Sequence, residues 1–305
     1  MVRLEDIQSF FRGWVAANEP MVRYTSMRVG GAADFYLEPA DKDDMVALVK
    51  FLDANAVPWM MVGRGSNMLV SDEGIRGAVI NAESAISNVS LEGGIVTAEA
   101  GVRLNRFVDF CIQHELAGVE MLAGIPGTVG GAVVMNAGAH GGEISDHLVD
   151  IEVLRNGSIQ WIDKAAAKFS YRRSGLEHDA VLSARFKLTK GNKEKLAHQR
   201  RELILKRNQT QPLELPNSGS MFKNPPNTFA AKLIEQAGLK GKRVGRAEIS
   251  EKHANFIVNL GDAKAADVVR LLELARRTVY QNTGLMLELE VKLVGFSDDV
   301  KRKFA

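Results

Sequence analysis

The sequence predicts an α+β protein with two domains. Helical and strand-like patterns mix along the chain without a regular alternation of strand, helix and strand, which argues against a doubly wound parallel sheet. The length of 305 residues corresponds to two domains, since a domain has roughly 100–200 residues. The third observation is the glycine content, 28 residues against 8 prolines, with nine of the glycines gathered in two short segments.

The first half of the chain predicts strands separated by a few helices. Apolar residues at helical spacing predict an amphipathic helix at the N-terminus, and Asp41 precedes the second helix as its N-cap. Glu92-Gly93-Gly94 and Asn156-Gly157 are turn sequences typical of hairpins. In order, we expect a helix over residues 1–15, a strand over 33–37, a helix over 41–54, strands over 58–62, 77–81, 86–91 and 95–100, a helix over 104–116, and strands over 149–154, 158–162 and 181–188.

A charged helix over residues 192–208 leads into the second half. Beyond it we expect a loop over 211–227, a helix over 229–236, a strand over 254–259, a helix over 265–282 that stops at Gly284, and a final alternating strand over 285–294. The predicted domains are residues 1–195 and 196–305. Within the first, a division into two subdomains would fall near residues 60–80.

Composition excludes several classes of protein. The net charge of +2 gives no field that favours nucleic acid as a partner. The lone Cys111 excludes an internal disulfide, and with no metal-ligand spacing among the histidines we predict no metal site. Acidic residues interrupt the N-terminal apolar pattern, and no apolar run approaches the roughly 20 residues of a membrane span. We therefore expect a soluble, cytoplasmic protein without a membrane span.

The glycines predict a phosphate-binding site. One group follows the strand over 58–62 in Gly63-Arg64-Gly65-Ser66-Asn67, and seven more lie between Gly124 and Gly142. Glycine lets backbone amides approach a ligand where a side chain would block them. Neither segment matches the dinucleotide fingerprint or the phosphate loop of nucleotide hydrolases. The alternative is that these glycines only form tight turns.

These segments carry a resemblance to a known family. GRGSNML at Gly63–Leu69 and GIPGTVGGAVVMNAGA at Gly124–Ala139 resemble the two FAD-binding loops of the UDP-N-acetylenolpyruvoylglucosamine reductases. Five further blocks follow the family in the same order over nearly the whole chain. They are TSMRVGGAADF at Thr25–Phe35, SYRRSG at Ser170–Gly175, NSGSMFKNP at Asn217–Pro225, SEKHANFIVN at Ser250–Asn259 and ELEVKLVG at Glu288–Gly295.

The resemblance implies a flavoprotein oxidoreductase. Its FAD-binding domain would be of the vanillyl-alcohol-oxidase (PCMH) type, followed by a smaller substrate-binding domain. The implied reaction is the reduction of UDP-N-acetylglucosamine enolpyruvate to UDP-N-acetylmuramate by NADPH. This step belongs to peptidoglycan synthesis, and hence to cell wall biogenesis, cell shape and cell division. With no extra segment before the charged helix, the chain resembles the shorter family branch, which lacks a tyrosine-bearing loop.

Three residues match the family's catalytic groups. The reduction needs a hydride for one alkene carbon, stabilisation of charge on the substrate carboxylate, and a proton for the other carbon. The resemblance implies that Ser220 donates the proton, Arg172 holds the carboxylate and Glu290 assists in stabilising its charge. Without the family, Ser220 fits a loop serine bonded to its own backbone, Arg172 fits an exposed arginine, and Glu290 fits the solvated face of a strand.

The last block departs slightly from the family. Lys292 stands where arginine is frequent and Leu289 where proline is common, which leaves Glu288 as an alternative to Glu290. Asn224 and His253 match substrate-binding positions. The resemblance implies FAD contacts at Arg28, Gly63, Arg64, Gly65, Ser66, Asn67, Met68, Gly124, Pro126, Gly127, Thr128, Gly130, Gly131, Asn136, Ala137 and Gly138.

Two other functions stay open from the residues. One is a flavin-dependent oxidase of the vanillyl-alcohol-oxidase group, which would share the FAD loops but need not contain NSGSMFKNP. The other is a non-catalytic nucleotide-binding module, against which the presence of Arg172, Ser220 and Glu290 argues.

Overall fold

The computed structural model describes residues 2–305, which contain eight α-helices. The longer ones begin and end close to the positions that the sequence predicts. The helices are α1 (Leu4–Gln8), α2 (Lys42–Ala54), α3 (Leu104–Gln113), α4 (Val129–Val134), α5 (Lys193–Thr210), α6 (Ala230–Gln236), α7 (Ala265–Thr283) and α8 (Asp298–Arg302). None of these helices in residues 2–305 has the length and apolar character needed to cross a bilayer.

The strands of the same residues are mostly short. They are β1 (Trp14–Pro20), β2 (Ala32–Glu38), β3 (Trp59–Val62), β4 (Met68–Val70), β5 (Ile75–Asn81), β6 (Val89–Glu92), β7 (Ile95–Glu99), β8 (Leu116–Ala117), β9 (Gly138–Ala139), β10 (Gly142–Glu143), β11 (Leu148–Arg155), β12 (Ser158–Asp163), β13 (Ala180–Lys187), β14 (Thr189–Lys190), β15 (Asn217–Ser220), β16 (Arg243–Val244), β17 (Ala247–Ile249), β18 (Phe256–Asn259) and β19 (Lys292–Val294).

The strands form sheets of mixed type. The three larger sheets have the orders β1-β2-β5-β3, β12-β11-β13-β7-β6 and β15-β18-β17-β16, and the pairs are β10-β9, β14-β8 and β19-β4. The five-stranded sheet is antiparallel, whereas β3 pairs with β5, and β19 with β4, in parallel. Helices and strands are thus mixed without a repeating parallel crossover, which confirms the α+β class.

The chain divides into two compact units. The first contains residues up to Ala17, Phe35–Gly63 and Gly77–Arg207, and the second contains Asn18–Asp34, Arg64–Arg76 and Asn208–Ala305. Each unit has its own apolar core, which includes Phe107 and Phe186 in the first and Phe222 and Leu272 in the second. The predicted domain division at residues 195 and 196, with a subdomain division near 60–80, stays a prediction.

The structure confirms the elements with the clearest sequence signals. The Asp41 side chain caps α2 by accepting a hydrogen bond from the Asp44 amide. The hairpins form at both predicted turns, with Glu92 opposite Ile95 and Arg155 opposite Ser158. Helix α7 ends at Thr283, and Gly284 follows with a φ of 72°, the left-handed conformation that favours glycine after a helix.

The prediction of a helix over residues 1–15 is wrong beyond its first turns; Met1 lies outside the described residues. Helix α1 ends at Gln8, and the chain enters β1 at Trp14. The carboxylate of Asp44 accepts hydrogen bonds from the amides of Arg12 and Gly13, which fixes an extended turn here. A side chain on Gly13 would lie 2.1 Å from the carbonyl oxygen of Glu38, so the close approach at this turn requires glycine.

Three further predictions are wrong in part. The final strand covers only Lys292–Val294, because the preceding segment makes isolated backbone bonds to residues 221–223 instead of a regular ladder. The loop over 211–227 contains β15 (Asn217–Ser220), which pairs with β18. Its polar, glycine-containing sequence has no apolar alternation, so its partner strand, not its own propensity, makes it a strand. The strand predicted over 86–91 begins only at Val89.

Candidate active site

In the first unit, two glycines of the predicted FAD site are required by packing. A side chain on Gly63 would lie 2.5 Å from the hydroxyl oxygen of Thr128, and one on Gly130 would lie 2.7 Å from the side chain of Ala100. The amide of Gly130 donates to the Ala100 carbonyl at 2.8 Å, so it already has a partner within the protein. Contacts within the protein are therefore sufficient to explain Gly63 and Gly130, as the alternative without a ligand expects.

Gly131 differs from these two glycines. It lies within α4, which Thr128 caps, and its backbone is helical. A side chain there would come no closer than 3.7 Å to another atom, and the residue is exposed. Since nothing in the protein excludes a side chain, the close approach of a ligand is a sufficient reason for glycine here.

Replacing Gly131 with alanine separates packing from ligand binding. Alanine in a helix is favoured over glycine, so Gly131→Ala should raise the free energy of unfolding of the apoprotein by up to about 1 kcal/mol. We expect it to weaken FAD binding at least about tenfold, because the methyl group would enter the ligand's space. Fluorescence titration of the apoprotein with FAD measures this. Gly130→Ala is the control, and it should destabilise the fold because its methyl group would collide with Ala100. An unchanged FAD affinity in Gly131→Ala would contradict the assignment of Gly131 to the FAD site.

Asn136 links this glycine segment to the residue predicted to hold the substrate carboxylate. Its side-chain nitrogen donates to the Ser170 carbonyl at 2.9 Å and to the Glu143 carboxylate at 2.6 Å, while its side-chain oxygen is buried without a partner. Arg172 donates to the Gly138 carbonyl at 2.6 Å. The structure therefore brings together three of the predicted residues, namely Asn136, Gly138 and Arg172.

Backbone conformations at these positions are unusual. Asn136 has a φ of 45° and Arg172 a φ of 56°, in the left-handed region that most side chains avoid. The backbone around Arg172 forms a tight bridge between Ser170 and Arg173. Such conformations persist where the surroundings over-determine them, and they cluster at functional sites. The orphaned oxygen of Asn136 is an acceptor that an N–H group of a ligand would satisfy.

In the second unit, Ser220 ends β15 opposite Phe256 of β18. Gly219 has a φ of 72°, and the pairing shifts register between Asn217 and Ser220. Such an irregularity bends a strand and redirects the side chain that follows. The hydroxyl of Ser218, by contrast, is buried and donates to the Met68 carbonyl at 3.0 Å, which is a structural role.

Glu290 lies beside this strand end. Its amide donates to the Met221 carbonyl at 2.9 Å, and its carbonyl accepts a hydrogen bond from the Asn67 side chain at 3.1 Å. The structure thus brings together Ser220, through its neighbour Met221, with Glu290 and Asn67. Glu288 has a side chain that is 73% exposed and forms an ion pair with Lys223 at 3.4 Å. The Glu288 carbonyl also accepts a hydrogen bond from the Lys223 amide at 2.8 Å, so the choice of Glu290 over Glu288 as the residue in the site stays a prediction.

Two asparagines that the sequence analysis does not single out hold this part of the second unit. Asn255 donates to the Phe222 carbonyl at 2.7 Å and accepts from the Phe222 amide at 3.0 Å, which fixes the backbone after Ser220. Asn259 donates to the Met27 carbonyl at 3.0 Å and thereby fixes the turn at Arg28, whose φ is 55°. Both lie in the SEKHANFIVN block, but their role depends on partners distant in sequence.

The predicted substrate contacts have other surroundings. The side-chain oxygen of Asn224 accepts a hydrogen bond from the amide of Ala230, the first residue of α6, at 3.1 Å. His253 packs edge-on against Phe256, and its Nδ1 atom is buried without a partner. Burial lowers the pKa of His253, so the imidazole is neutral at neutral pH. Substrate binding by either residue stays a prediction.

Similarity to known proteins extends over almost the whole chain. A family model described as an FAD binding domain matches residues 33–163, and one described as the C-terminal domain of UDP-N-acetylenolpyruvoylglucosamine reductase matches residues 211–294. The reductase of that name from Chloroherpeton thalassium is 46% identical, with 99% of this chain and 100% of the relative covered. The corresponding protein of Caldanaerobacter subterraneus subsp. tengcongensis is 43% identical over 93% of this chain and 94% of the relative.

A solved structure agrees with these relatives. The crystal structure of UDP-N-acetylenolpyruvylglucosamine reductase from Thermus caldophilus has a TM-score of 0.80 and 36% sequence identity with this chain. It covers 93% of this chain and 100% of the solved one. The likeness therefore includes both of the regions that the family models match.

Proposed function

Because this chain belongs to the family of UDP-N-acetylenolpyruvoylglucosamine reductases, we propose that Arg172, Ser220 and Glu290 perform its reaction. The chain is an FAD-dependent oxidoreductase that reduces the enolpyruvyl group of UDP-N-acetylglucosamine enolpyruvate, a step of peptidoglycan synthesis. The observation that supports the residue roles is the contact of Arg172 with Gly138 in one unit and of Glu290 with Met221 in the other.

The residues of the first unit fit a bound flavin nucleotide. Gly131 leaves open space, and the buried oxygen of Asn136 lacks a donor. FAD bound here would supply the redox chemistry, which is the transfer of a hydride from NADPH to the alkene. We propose that Gly63, Gly131 and Asn136 hold it, together with the other residues that match the family's FAD loops.

Each catalytic residue has a role that its chemistry allows. Arg172 binds the substrate carboxylate, where a fixed guanidinium stabilises the charge that develops during reduction. The Ser220 hydroxyl donates a proton to the carbon that does not receive the hydride, because that carbanionic carbon is more basic than an alkoxide. Glu290 assists in stabilising charge at the carboxylate. We place the reaction in the cytoplasm, with the UDP-sugar and NADPH as its only substrates and no nucleic acid.

The paired variants Glu290→Gln and Glu288→Gln test the assignment on the last segment. Glu290→Gln should lower kcat about 10- to 100-fold, because one charged hydrogen bond at a reacting group is worth about 1.5–3 kcal/mol. Glu288→Gln removes only an exposed ion pair and should leave kcat within about twofold. Steady-state NADPH consumption measures both; equal losses, or a larger loss in Glu288→Gln, would reverse the assignment.

The activity itself is tested with FAD-loaded protein. NADPH consumption should depend on the enolpyruvyl substrate and should not be replaced by oxygen consumption with an alcohol. Oxygen consumption with an alcohol, and no turnover of the enolpyruvyl substrate, would favour the flavin-dependent oxidase. Binding of the ligands without turnover would favour a non-catalytic nucleotide-binding module.

A further inference from the structure

Ser26 is bonded to two segments of the proposed site but has no assigned part in the reaction. One segment is the loop at Gly65, which matches an FAD loop of the family, and the other is β15, which ends at Ser220. Ser26, this loop and β15 all belong to the second unit. The half-buried serine therefore lies where it can fix one segment relative to the other.

The backbone and the side chain of Ser26 bind different partners. Its amide donates to the Gly65 carbonyl at 3.1 Å. Its hydroxyl lies 2.6 Å from the Asn217 carbonyl and 3.3 Å from that of Gly65. A hydroxyl has one proton to donate, and the shorter distance assigns this proton to Asn217. Removal of the hydroxyl would therefore break the bond to β15 and leave the amide bond to the loop in place.

Strand β15 needs such a contact from outside its sheet. It lies at the edge of a four-stranded sheet, and its pairing with β18 is interrupted between Asn217 and Ser220. An interrupted ladder fixes the end of a strand less firmly than a regular one. Because Asn217 begins the strand that ends at Ser220, the bond from Ser26 helps to fix the predicted proton donor.

The bond from Ser26 closes a ring of contacts. In the loop to which Ser26 is bonded, the side chain of Asn67 donates to the Glu290 carbonyl at 3.1 Å. The Glu290 amide in turn donates at 2.9 Å to the carbonyl of Met221, the residue after Ser220. Strand β15 leads from there back to the bond with Ser26. The ring thus contains both predicted catalytic residues of this unit and the loop that matches an FAD loop.

We propose that Ser26 is a positioning residue that holds Ser220 in place relative to this loop. Proton donation requires the Ser220 hydroxyl to lie within hydrogen-bond reach of the substrate carbon. Ser26 does not touch the reacting groups; it acts through the backbone of β15. This inference rests on the proposed function, since that function makes Ser220 the proton donor.

The test measures the two half-reactions of the FAD-loaded protein separately. Anaerobic stopped-flow absorbance follows the reduction of the flavin by NADPH and then its reoxidation by the enolpyruvyl substrate. The variants are Ser26→Ala, Ser26→Thr, Ser220→Ala and the double variant Ser26→Ala/Ser220→Ala. Ser218→Ala is the control, because its hydroxyl bonds to Met68 of β4, a strand that the ladder with β19 already holds.

We expect Ser26→Ala to slow reoxidation by the substrate about tenfold, since a misplacement of about 1 Å can cost about 100-fold and the loss of one hydrogen bond allows a smaller shift. Reduction by NADPH and the Kd for FAD should change less than about threefold, because the amide bond to the loop remains. Ser26→Thr keeps the hydroxyl donor and should stay within about threefold of the wild-type rate.

The double variant shows whether Ser26 acts through Ser220. In the Ser220→Ala background the loss of the Ser26 hydroxyl should have no further effect, because residues that act as a unit are not additive. Thermal unfolding should show similar losses in Ser26→Ala and Ser218→Ala, of about 2–4 °C. Only Ser26→Ala should combine this small loss of stability with slower reoxidation.

Four results would overturn the inference. They are an unchanged rate of reoxidation in Ser26→Ala, equal slowing of both half-reactions, a rate in Ser26→Thr as low as in Ser26→Ala, and a further loss of the same size in the Ser220→Ala background. Wild-type reoxidation in Ser220→Ala alone would instead overturn the proposed role of Ser220, so the two failures are distinguishable.

Discussion

Ser220→Ala should lower turnover about 10²–10⁴-fold while leaving the reduction of bound FAD by NADPH unchanged. The loss is the usual contribution of a positioned general acid, and it falls only on the step in which the substrate carbon is protonated. Stopped-flow absorbance of the flavin measures the first half-reaction alone, and steady-state NADPH consumption measures the whole cycle. The split between the two readouts distinguishes proton donation from general damage to the site.

Ser218→Ala is the matched control for this prediction. Ser218 lies two residues earlier on β15, and its buried hydroxyl donates to the Met68 carbonyl. Its removal should cost about 1 kcal/mol of stability and leave turnover nearly unchanged. If Ser220→Ala slowed both half-reactions equally, or if Ser218→Ala lost as much turnover, Ser220 would not be the proton donor.

Arg172→Met should lower kcat/KM for the enolpyruvyl substrate about 10²–10³-fold, the scale of losing one donor that stabilises charge in the transition state. The effect should be specific to Arg172 because the hydrogen bond from its guanidinium to the Gly138 carbonyl fixes that group. Arg172→Lys should recover part of the loss, because it restores the charge without the bidentate geometry.

Arg173→Met controls for the loss of a cation at the same turn. Arg173 is exposed, and its pairing with Glu177 spans 3.8 Å, so we expect no more than a twofold change in turnover. Equal losses in the two variants would mean that the net charge of this turn, and not a specific contact of Arg172, supports the reaction.

Sequence patterns predict the elements whose signals are local. The Asp41 cap, the Asn156-Gly157 turn and the Gly284 stop each depend on a few neighbouring residues, and each has its expected structure. The wrong predictions share a different cause. Residues 288–291 bond to the backbone of 221–223, and Asn217–Ser220 becomes a strand through β18. Both conformations therefore depend on partners far away in the sequence.

The candidate site shows the same difference between local sequence signals and contacts with residues distant in the sequence. The motif blocks lead to Arg172, Ser220 and Glu290 because each lies within a contiguous run of matching residues. Asn255 and Asn259 are recognisable only from the backbone groups that they bind.

The glycine count also needs the structure for its interpretation. Gly63 and Gly130 are fixed by Thr128 and Ala100, whereas Gly131 has open space around it. Composition alone assigns the same meaning to all three. Of the three, only Gly131 has no contact within the protein that requires glycine.

The measurement that tests the central claim most directly is an anaerobic titration of the FAD-loaded protein. NADPH should bleach the flavin absorbance, and the enolpyruvyl substrate should then restore it in a one-to-one ratio with formation of UDP-N-acetylmuramate. A flavin that stays reduced in the presence of that substrate, and is reoxidised only when oxygen is admitted, would contradict the assignment of this chain as a reductase of the enolpyruvyl group.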